Sequence, residues 1–293
     1  MRILFIVVLA VFTQLAGAAD RGAEKAATIQ FVEAQYDADS GGFRADPKAK
    51  PGLRSTSAAV RALKYLGQPP TAAKREKIAA FVLACFDPRT GSFADAPGGK
   101  PDLNATAVGI MAAVELEIAK DKFAKAMDYL KANAKTFEDM RIGAAAVEAW
   151  GVKDCPFDLN EWQTLAAFHF TRVKEDKSDG RARDLASVTA MYSRLNWNKL
   201  TEMGKEIAAG QRADGGWGKK DEADSDLETT YRVMRALYLL KEKPKDGVKL
   251  REFLAKCRNL DGGSCVNPGD ASSVGGVYFA TIISHWLEEL EKK

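Results

Sequence analysis

Four stretches of this chain repeat one pattern, and the pattern limits what the chain can build. Gly41-Gly42-Phe43 is followed by Pro47, Pro51, Leu53 and Thr56, and Gly91-Ser92-Phe93 by Pro97, Pro101, Leu103 and Thr106, every pair 50 residues apart. Phe31 and Phe81 share the offset, as do the small residues Ala59 and Gly109. Gly215-Gly216-Trp217 reaches Thr230 with the spacing of 15 that separates Gly41 from Thr56, and Gly262-Gly263-Ser264 opens a shorter version followed by Ser272-Ser273. A period of this size marks stacked supersecondary units, none of which can bury its apolar face alone.

Each unit reads as two helices around a glycine-rich loop. In the first, Glu24 to Tyr36 forms the leading helix and Asp37 to Arg54 the loop. Ser55 is expected to cap a second helix from Thr56 to Leu66, and Gly67 to end it. Ala59, Ala62-Leu63 and Leu66 recur along it at helical spacing. The aromatic after the glycines (Phe43, Phe93, Trp217) is expected to pack between units. Asp121 to Trp150 makes a third pair with a short loop at Thr136-Phe137, and Glu161 to Leu195 a fourth with its loop at Lys177-Ser178-Asp179-Gly180. Lys199 to Leu240 is the fifth pair and Val248 to Leu290 the sixth. No linker-like stretch divides them, so residues 20–293 read as one all-α domain. An open stack needs polar end caps, which the first and last units lack. The expectation is therefore six helix pairs closed around a central cavity, with an open superhelix as the alternative.

The first residues carry a different message. Arg2, the apolar run Ile3 to Val11 and the small residues Ala16-Gly17-Ala18-Ala19 read as a cleavable signal peptide over residues 1–19. The run is short for a membrane span and no later segment is long enough, so an exported, periplasmic or secreted protein is expected, with no membrane span after cleavage. The 43 basic and 40 acidic residues leave a net charge of +3, too small an excess for a nucleic-acid partner. Cys85, Cys155, Cys257 and Cys265 could be buried thiols or disulfides, with Cys257 and Cys265 flanking a turn and the pairing open. His169 and His285 are the only histidines, which excludes a histidine-rich metal site.

The set Gly41-Gly42-Phe43, Pro47, Pro51, Leu53, Thr56, Ala58-Ala59-Val60, Ala62-Leu63 and Gly67 resembles the β-subunit repeat of protein prenyltransferases. Gln211-Arg212-Ala213-Asp214-Gly215-Gly216-Trp217 is similar to the Gln-x-x-x-Gly-x-Trp repeat of squalene and other triterpene cyclases. The resemblance runs from about Glu24 to the end, specific in units one, two, five and six and weak in three and four. It implies an (α/α)6 toroid whose apolar cavity holds an isoprenoid chain.

Carried over residue by residue, the chemistry thins. The prenyltransferase zinc ligands are an Asp and a Cys in the fifth repeat and a His in the sixth. Asp226 fits the Asp, whereas Glu228 stands at the Cys and Gly276 at the His, so no zinc and no other cofactor is expected. Of the diphosphate-binding residues after the fifth aromatic, Lys220 falls on an Arg and Ala223 on a Lys. Asp102 matches a family Asp, and Asn104 replaces an Arg. The cyclases protonate an alkene with the middle acid of Asp-x-Asp-Asp-Thr. Aligning Thr230 puts Asp226 first and Glu228 in the middle, with Thr229 in place of the third acid. Asp226 and Glu228 are thus the candidate catalytic residues, and Lys220 and Asp224 the candidate ligand-binding ones. The alternative role for Asp224, Asp226 and Glu228 is to cap a helix N-terminus and match its dipole.

Three functions remain in view. The first is an exported prenyltransferase- or cyclase-like toroid binding an isoprenoid or other apolar ligand, and the second a non-catalytic binding or scaffold toroid. The third is a carbohydrate-active toroid using Asp37, Asp39, Asp214 or Asp261. Asp214 and Asp261 occupy equivalent turn positions, which points to a repeat-structural role. The sequence names no protein partner.

Overall fold

The loop that recurs in the sequence is closed by one recurring hydrogen bond. The amide of Phe43 donates to the Thr56 hydroxyl at 2.9 Å, that of Phe93 to Thr106 at 3.0 Å, and that of Trp217 to Thr230 at 3.0 Å. The threonine thereby ties the loop back onto the first turn of the helix that follows. Two of these loops carry short antiparallel pairs: β1 (Phe43–Arg44) with β2 (Pro51–Gly52), Phe43 opposite Gly52, and β3 (Phe86–Asp87) with β4 (Ser92–Phe93), Phe86 opposite Phe93.

The computed structural model describes residues 22–198 and 200–292, and the expected signal peptide lies outside them. The described residues form twelve α-helices in six pairs. They are α1 (22–33) with α2 (Leu53–Tyr65), α3 (Ala72–Ala84) with α4 (Leu103–Glu115), and α5 (Lys125–Asn133) with α6 (Phe137–Trp150). Then come α7 (Asn160–Glu175) with α8 (Arg181–Arg194), α9 (Gly204–Ala209) with α10 (Leu227–Leu240), and α11 (Gly247–Lys256) with α12 (Val274–Glu291). The even-numbered helices pack in sequence, α2 on α4 and so on to α12, and α12 packs back on α2. The ring is closed, and the open superhelix is excluded. The odd-numbered helices lie outside it. The core is a shell between the layers, where Leu63 and Ile110 of the inner helices and Ile78, Phe81 and Met127 of the outer ones are buried.

Successive units are joined by the loop glycines. Gly41, Gly91 and Gly262 have φ of +80°, +72° and +83°, where a side chain is strained. A Cβ on each would also stand 2.5 Å from a carbonyl oxygen of the next outer helix: Lys77 on α3, Lys125 on α5, and Ala27 on α1. The last of these is the joint between the sixth unit and the first. Gly215 makes the same approach to Lys249 on α11. The Gln211 side chain strengthens that joint, donating to the carbonyls of Gly215 (2.7 Å) and Asp246 (2.8 Å) and accepting from the Asp246 amide (2.7 Å). This bridge explains the Gln-x-x-x-Gly-x-Trp spacing.

Phe93 lies on Gly109 and Phe86 of its own pair, Trp217 Nε1 donates to the Ile207 carbonyl at 3.2 Å, and Phe43 touches both Tyr36 of its own pair and Lys74 of the next unit. One local expectation needs correcting. Ser55 is not a cap. Helix α2 starts earlier, after Gly52, and the buried Ser55 hydroxyl donates to the Phe43 carbonyl at 2.6 Å. The degenerate third unit lacks the glycine loop and starts α6 with a capping box between Thr136 and Asp139 instead.

Candidate functional site

The inner helices surround a cavity of about 800 Å³. Val108 and Met111 of α4, Ile142 of α6, and Phe279 and Ile282 of α12 supply apolar wall. The rest departs from the apolar cavity that the resemblance implied, because seven basic and four acidic residues also face it. The inner helices are charged along the stripe they turn to the hole, and the apolar flanks of that stripe pack on neighbouring helices.

The charges form two groups. At the N-terminal ends of the inner helices, Arg232 of α10 donates to Glu228 on its own helix and to Glu138 on α6, both at 2.8 Å. Arg141 holds Glu138 with two further bonds of 2.8 and 2.9 Å. Burial pushes the Glu138 carboxyl up, but the Arg141 and Arg232 guanidiniums outweigh it and bring it to about 2. Helices α6 and α10 flank α8, so this network spans the opening between them. Beside it, Arg54 of α2 pairs with Asp102, the N-cap of α4, at 2.8 Å.

The second group lies further along the helices. Glu148 of α6 accepts from Arg235 of α10 at 2.9 Å and stands 3.4 Å from Arg194 at the end of α8. Arg61 of α2 faces the same space. The hydroxyls of Tyr231 on α10 and Tyr278 on α12 are 3.3 Å apart. Burial raises Tyr231, but Arg235, Arg194, the bond from Tyr278 and Arg61 together hold its hydroxyl below the ordinary tyrosine value. The Tyr278 hydroxyl is raised, chiefly by burial and by Tyr231 beside it.

The four residues singled out in the sequence are not brought together. Asp226 is buried and caps α10, accepting from the Thr229 amide at 2.8 Å, while its Oδ2 is buried without a partner. It is not part of the cavity lining, whereas Glu228 is. Asp224 and Lys220 are exposed, on the loop before α10 and outside the lining. Of the carbohydrate candidates, Asp214 and Asp261 each hold a glycine amide and a serine hydroxyl (Ser225 and Ser272) of their own loops. Asp37 is bonded to Ser40 and Arg44, and neither Asp37 nor Asp39 lines the cavity.

The residues at the family zinc positions do not fit zinc. Glu228 is ion-paired to Arg232. A Cβ on Gly276 would stand inside contact distance of the Ser264 carbonyl oxygen, so this backbone leaves no room for a ligating side chain there. Among the described residues no three His, Cys, Asp or Glu side chains converge as a metal site.

Sequence reasoning missed Arg61, Arg194, Arg235, Glu148, Tyr231 and Tyr278. One signal was present: Arg61 and Arg235 both stand five residues after their loop-closing threonine, Thr56 and Thr230. Met111 stands five after Thr106 and also faces the cavity.

Residues 3–151 and 181–292 match the prenyltransferase alpha-alpha toroid domain. The chain belongs to that family. Its fold is similar to Candida albicans protein geranylgeranyltransferase-I complexed with GGPP, at TM-score 0.63 and 14% identity over 81% of this chain and 84% of that one. It is also similar to the type II terpene cyclase MstE from Scytonema. A variant of that cyclase in complex with geranylgeranyl dihydroxybenzoate gives TM-score 0.60 and 11% identity over 93% of this chain and 98% of the cyclase. The apo cyclase gives 0.60 and 12% over the same shares. No curated protein sequence matches the chain. No described helix is long and apolar enough to cross a membrane.

Proposed function

We propose that this member of the family is an exported binding protein, whose central cavity takes an isoprenoid or another ligand with an apolar chain, and that it carries neither the zinc chemistry nor the alkene protonation of its relatives. The observation that carries this reading is the closed ring around a cavity of about 800 Å³, inside the range of roughly 300–1,000 Å³ typical of ligand pockets. Structures with the same fold hold a geranylgeranyl diphosphate and a geranylgeranyl dihydroxybenzoate. Against catalysis stand the geometry of the two acids and the closed Gly276 position. Asp226 caps α10 away from the cavity, and the Glu228 carboxylate is taken up by the Arg232 guanidinium, which stands where a substrate alkene would have to approach it.

Extraction of the purified exported protein with organic solvent, followed by mass spectrometry, tests the reading. A stoichiometric lipid carrying an isoprenoid or similar chain supports it. An empty protein that also takes up no farnesol in a titration overturns it. Export is tested separately, by fractionating cells that express the full chain and sequencing the mature N-terminus, expected near Ala19 or Asp20.

A further inference from the structure

The arginines that face the inner half of the cavity outnumber the acids that answer them. Arg61, Arg194 and Arg235 converge there from three helices, and Glu148 is the carboxylate that pairs with them, at 2.9 Å from Arg235 and 3.4 Å from Arg194. Glu115, the other acid of this region, is held by Lys64 at 2.6 Å. The Nε atoms of all three arginines are buried without a hydrogen bond; that of Arg194 has only the 3.4 Å ion-pair approach of Glu148 Oε2, and those of Arg61 and Arg235 have no acceptor. Guanidinium donors removed from water without an acceptor are costly, and two or more together repel. Arg194 carries this cost: burial and the neighbouring Arg235 pull its pKa below the ordinary arginine value against the opposing pull of Glu148, whereas at Arg61 burial is outweighed by the Tyr278 and Tyr231 hydroxyls and Glu115, which raise it. Beside the trio lie the hydroxyls of Tyr231 and Tyr278.

We propose that Arg61, Arg194 and Arg235, with the hydroxyls of Tyr231 and Tyr278, form a binding site for the oxyanion head, carboxylate or phosphate, of an amphiphile whose apolar part lies against Met111, Ile142, Phe279 and Ile282. The proposal deepens the binding reading above and rests on it. Guanidinium groups suit this role because their planar fork meets two oxygens of a carboxylate or phosphate at once. Three guanidiniums against one carboxylate leave room for an anion that the protein itself does not supply. The site is distinct from the loop position where the resemblance placed diphosphate-binding residues, since Lys220 is exposed there and Ala223 carries no charge. The ligand class is therefore an acidic lipid, its head held among the inner helices.

Calorimetric titration of the full chain with farnesyl phosphate, farnesoate, farnesol and inorganic phosphate tests the site. Farnesyl phosphate or farnesoate is expected to bind at least about tenfold more tightly than farnesol, a difference of about 1.4 kcal/mol. The stronger of the two identifies the head group. The preference should fall as sulfate is added and vanish in Arg61→Gln/Arg235→Gln. Circular dichroism confirms the fold of that variant, and the sulfate competition on the unaltered protein gives the same readout without it. Equal binding of farnesol and both acids overturns the anion site while leaving the chain-binding reading intact. Inorganic phosphate binding that depends on Arg61 and Arg235, without any lipid binding, leaves the anion site and overturns the chain-binding reading. No binding by any probe overturns both.

Discussion

The amide of Phe43 and the hydroxyl of Thr56, thirteen residues apart, share a 2.9 Å hydrogen bond that recurs unchanged in kind at Phe93–Thr106 and Trp217–Thr230. Both partners are buried, so removing the hydroxyl leaves a backbone donor without an acceptor. Thr106→Val is expected to lower stability by about 1–3 kcal/mol and Thr106→Ser by much less. Urea unfolding followed by circular dichroism measures both. A Thr106→Ser protein less stable than Thr106→Val would show that the methyl packing, and not the bond, holds the loop.

The glycine joints lead to a paired comparison. Gly215 has φ +102° and its missing Cβ would fall inside the Lys249 carbonyl, whereas Gly98 has φ +70° with nothing within 4 Å. Gly98→Ala carries only the backbone strain, about 1 kcal/mol, and Gly215→Ala adds a clash between units for roughly 2–4 kcal/mol. Thermal unfolding of the two variants should separate them clearly. A Gly215→Ala protein as stable as Gly98→Ala would mean that adjacent units slide apart without cost.

The closed ring was legible in the sequence because its joints are written in residues of fixed type. Gly41 and Thr56 each perform one local task that few other residues can, and the task recurs at a fixed offset. The cavity was far less legible. Whether Arg61 faces the hole or the outer layer depends on the rotation of α2, which is set by where the helix starts, and Ser55 gave the wrong start. Arg194 ends α8 in a unit that has lost its glycine-aromatic loop, so no repeat register marks it. Glu148 lies on α6, whose Thr136–Asp139 capping box replaces the loop altogether. Ion pairs such as Glu148–Arg235 join helices from different units, and no sequence spacing reports them.

Acid should weaken the opening of the ring through Glu138. Its carboxyl is lowered from 4.5 to about 2 by Arg141 and Arg232. The folded protein therefore binds this proton more weakly than the unfolded chain. The contribution to stability is present above pH 4.5 and is lost as the pH falls toward 2. Glu138→Gln is expected to be less stable at pH 7 and to lose less stability than the unaltered protein between pH 4.5 and 2. Parallel acid-unfolding curves for the two proteins would rule out Glu138 as a source of that slope.

The thiols should be ranked by burial. Cys155 is half-buried, while Cys85, Cys257 and Cys265 are buried, and all four are free thiols in the structure. Burial pushes Cys85 and Cys257 up to about 12, so little of either is thiolate at neutral pH. Labelling of the reduced native protein with a thiol reagent at pH 8, followed by peptide mapping, is expected to modify Cys155 first. Early labelling of Cys257 would show that the sixth loop opens on the timescale of the reaction.

Asp226 and Glu228 can be told apart by what each does for the fold. Asp226 caps α10 from a buried position, and loss of such a cap costs about 0.5–2 kcal/mol. Glu228 is 43% exposed and pairs with Arg232 one turn along the same helix, where ion pairs contribute at most about 0.5 kcal/mol. Asp226→Ala should therefore be the less stable protein, with lipid binding unchanged at temperatures where it is folded. Glu228→Gln should unfold near the original temperature. Its effect on binding should be small too, because Arg232 keeps its bond to Glu138 and adds little free positive charge to the opening. If the unaltered protein converted a prenyl ligand and a stably folded Asp226→Ala did not, the buried Oδ2 that lacks a partner would be a reacting group, and the binding-only reading would fall.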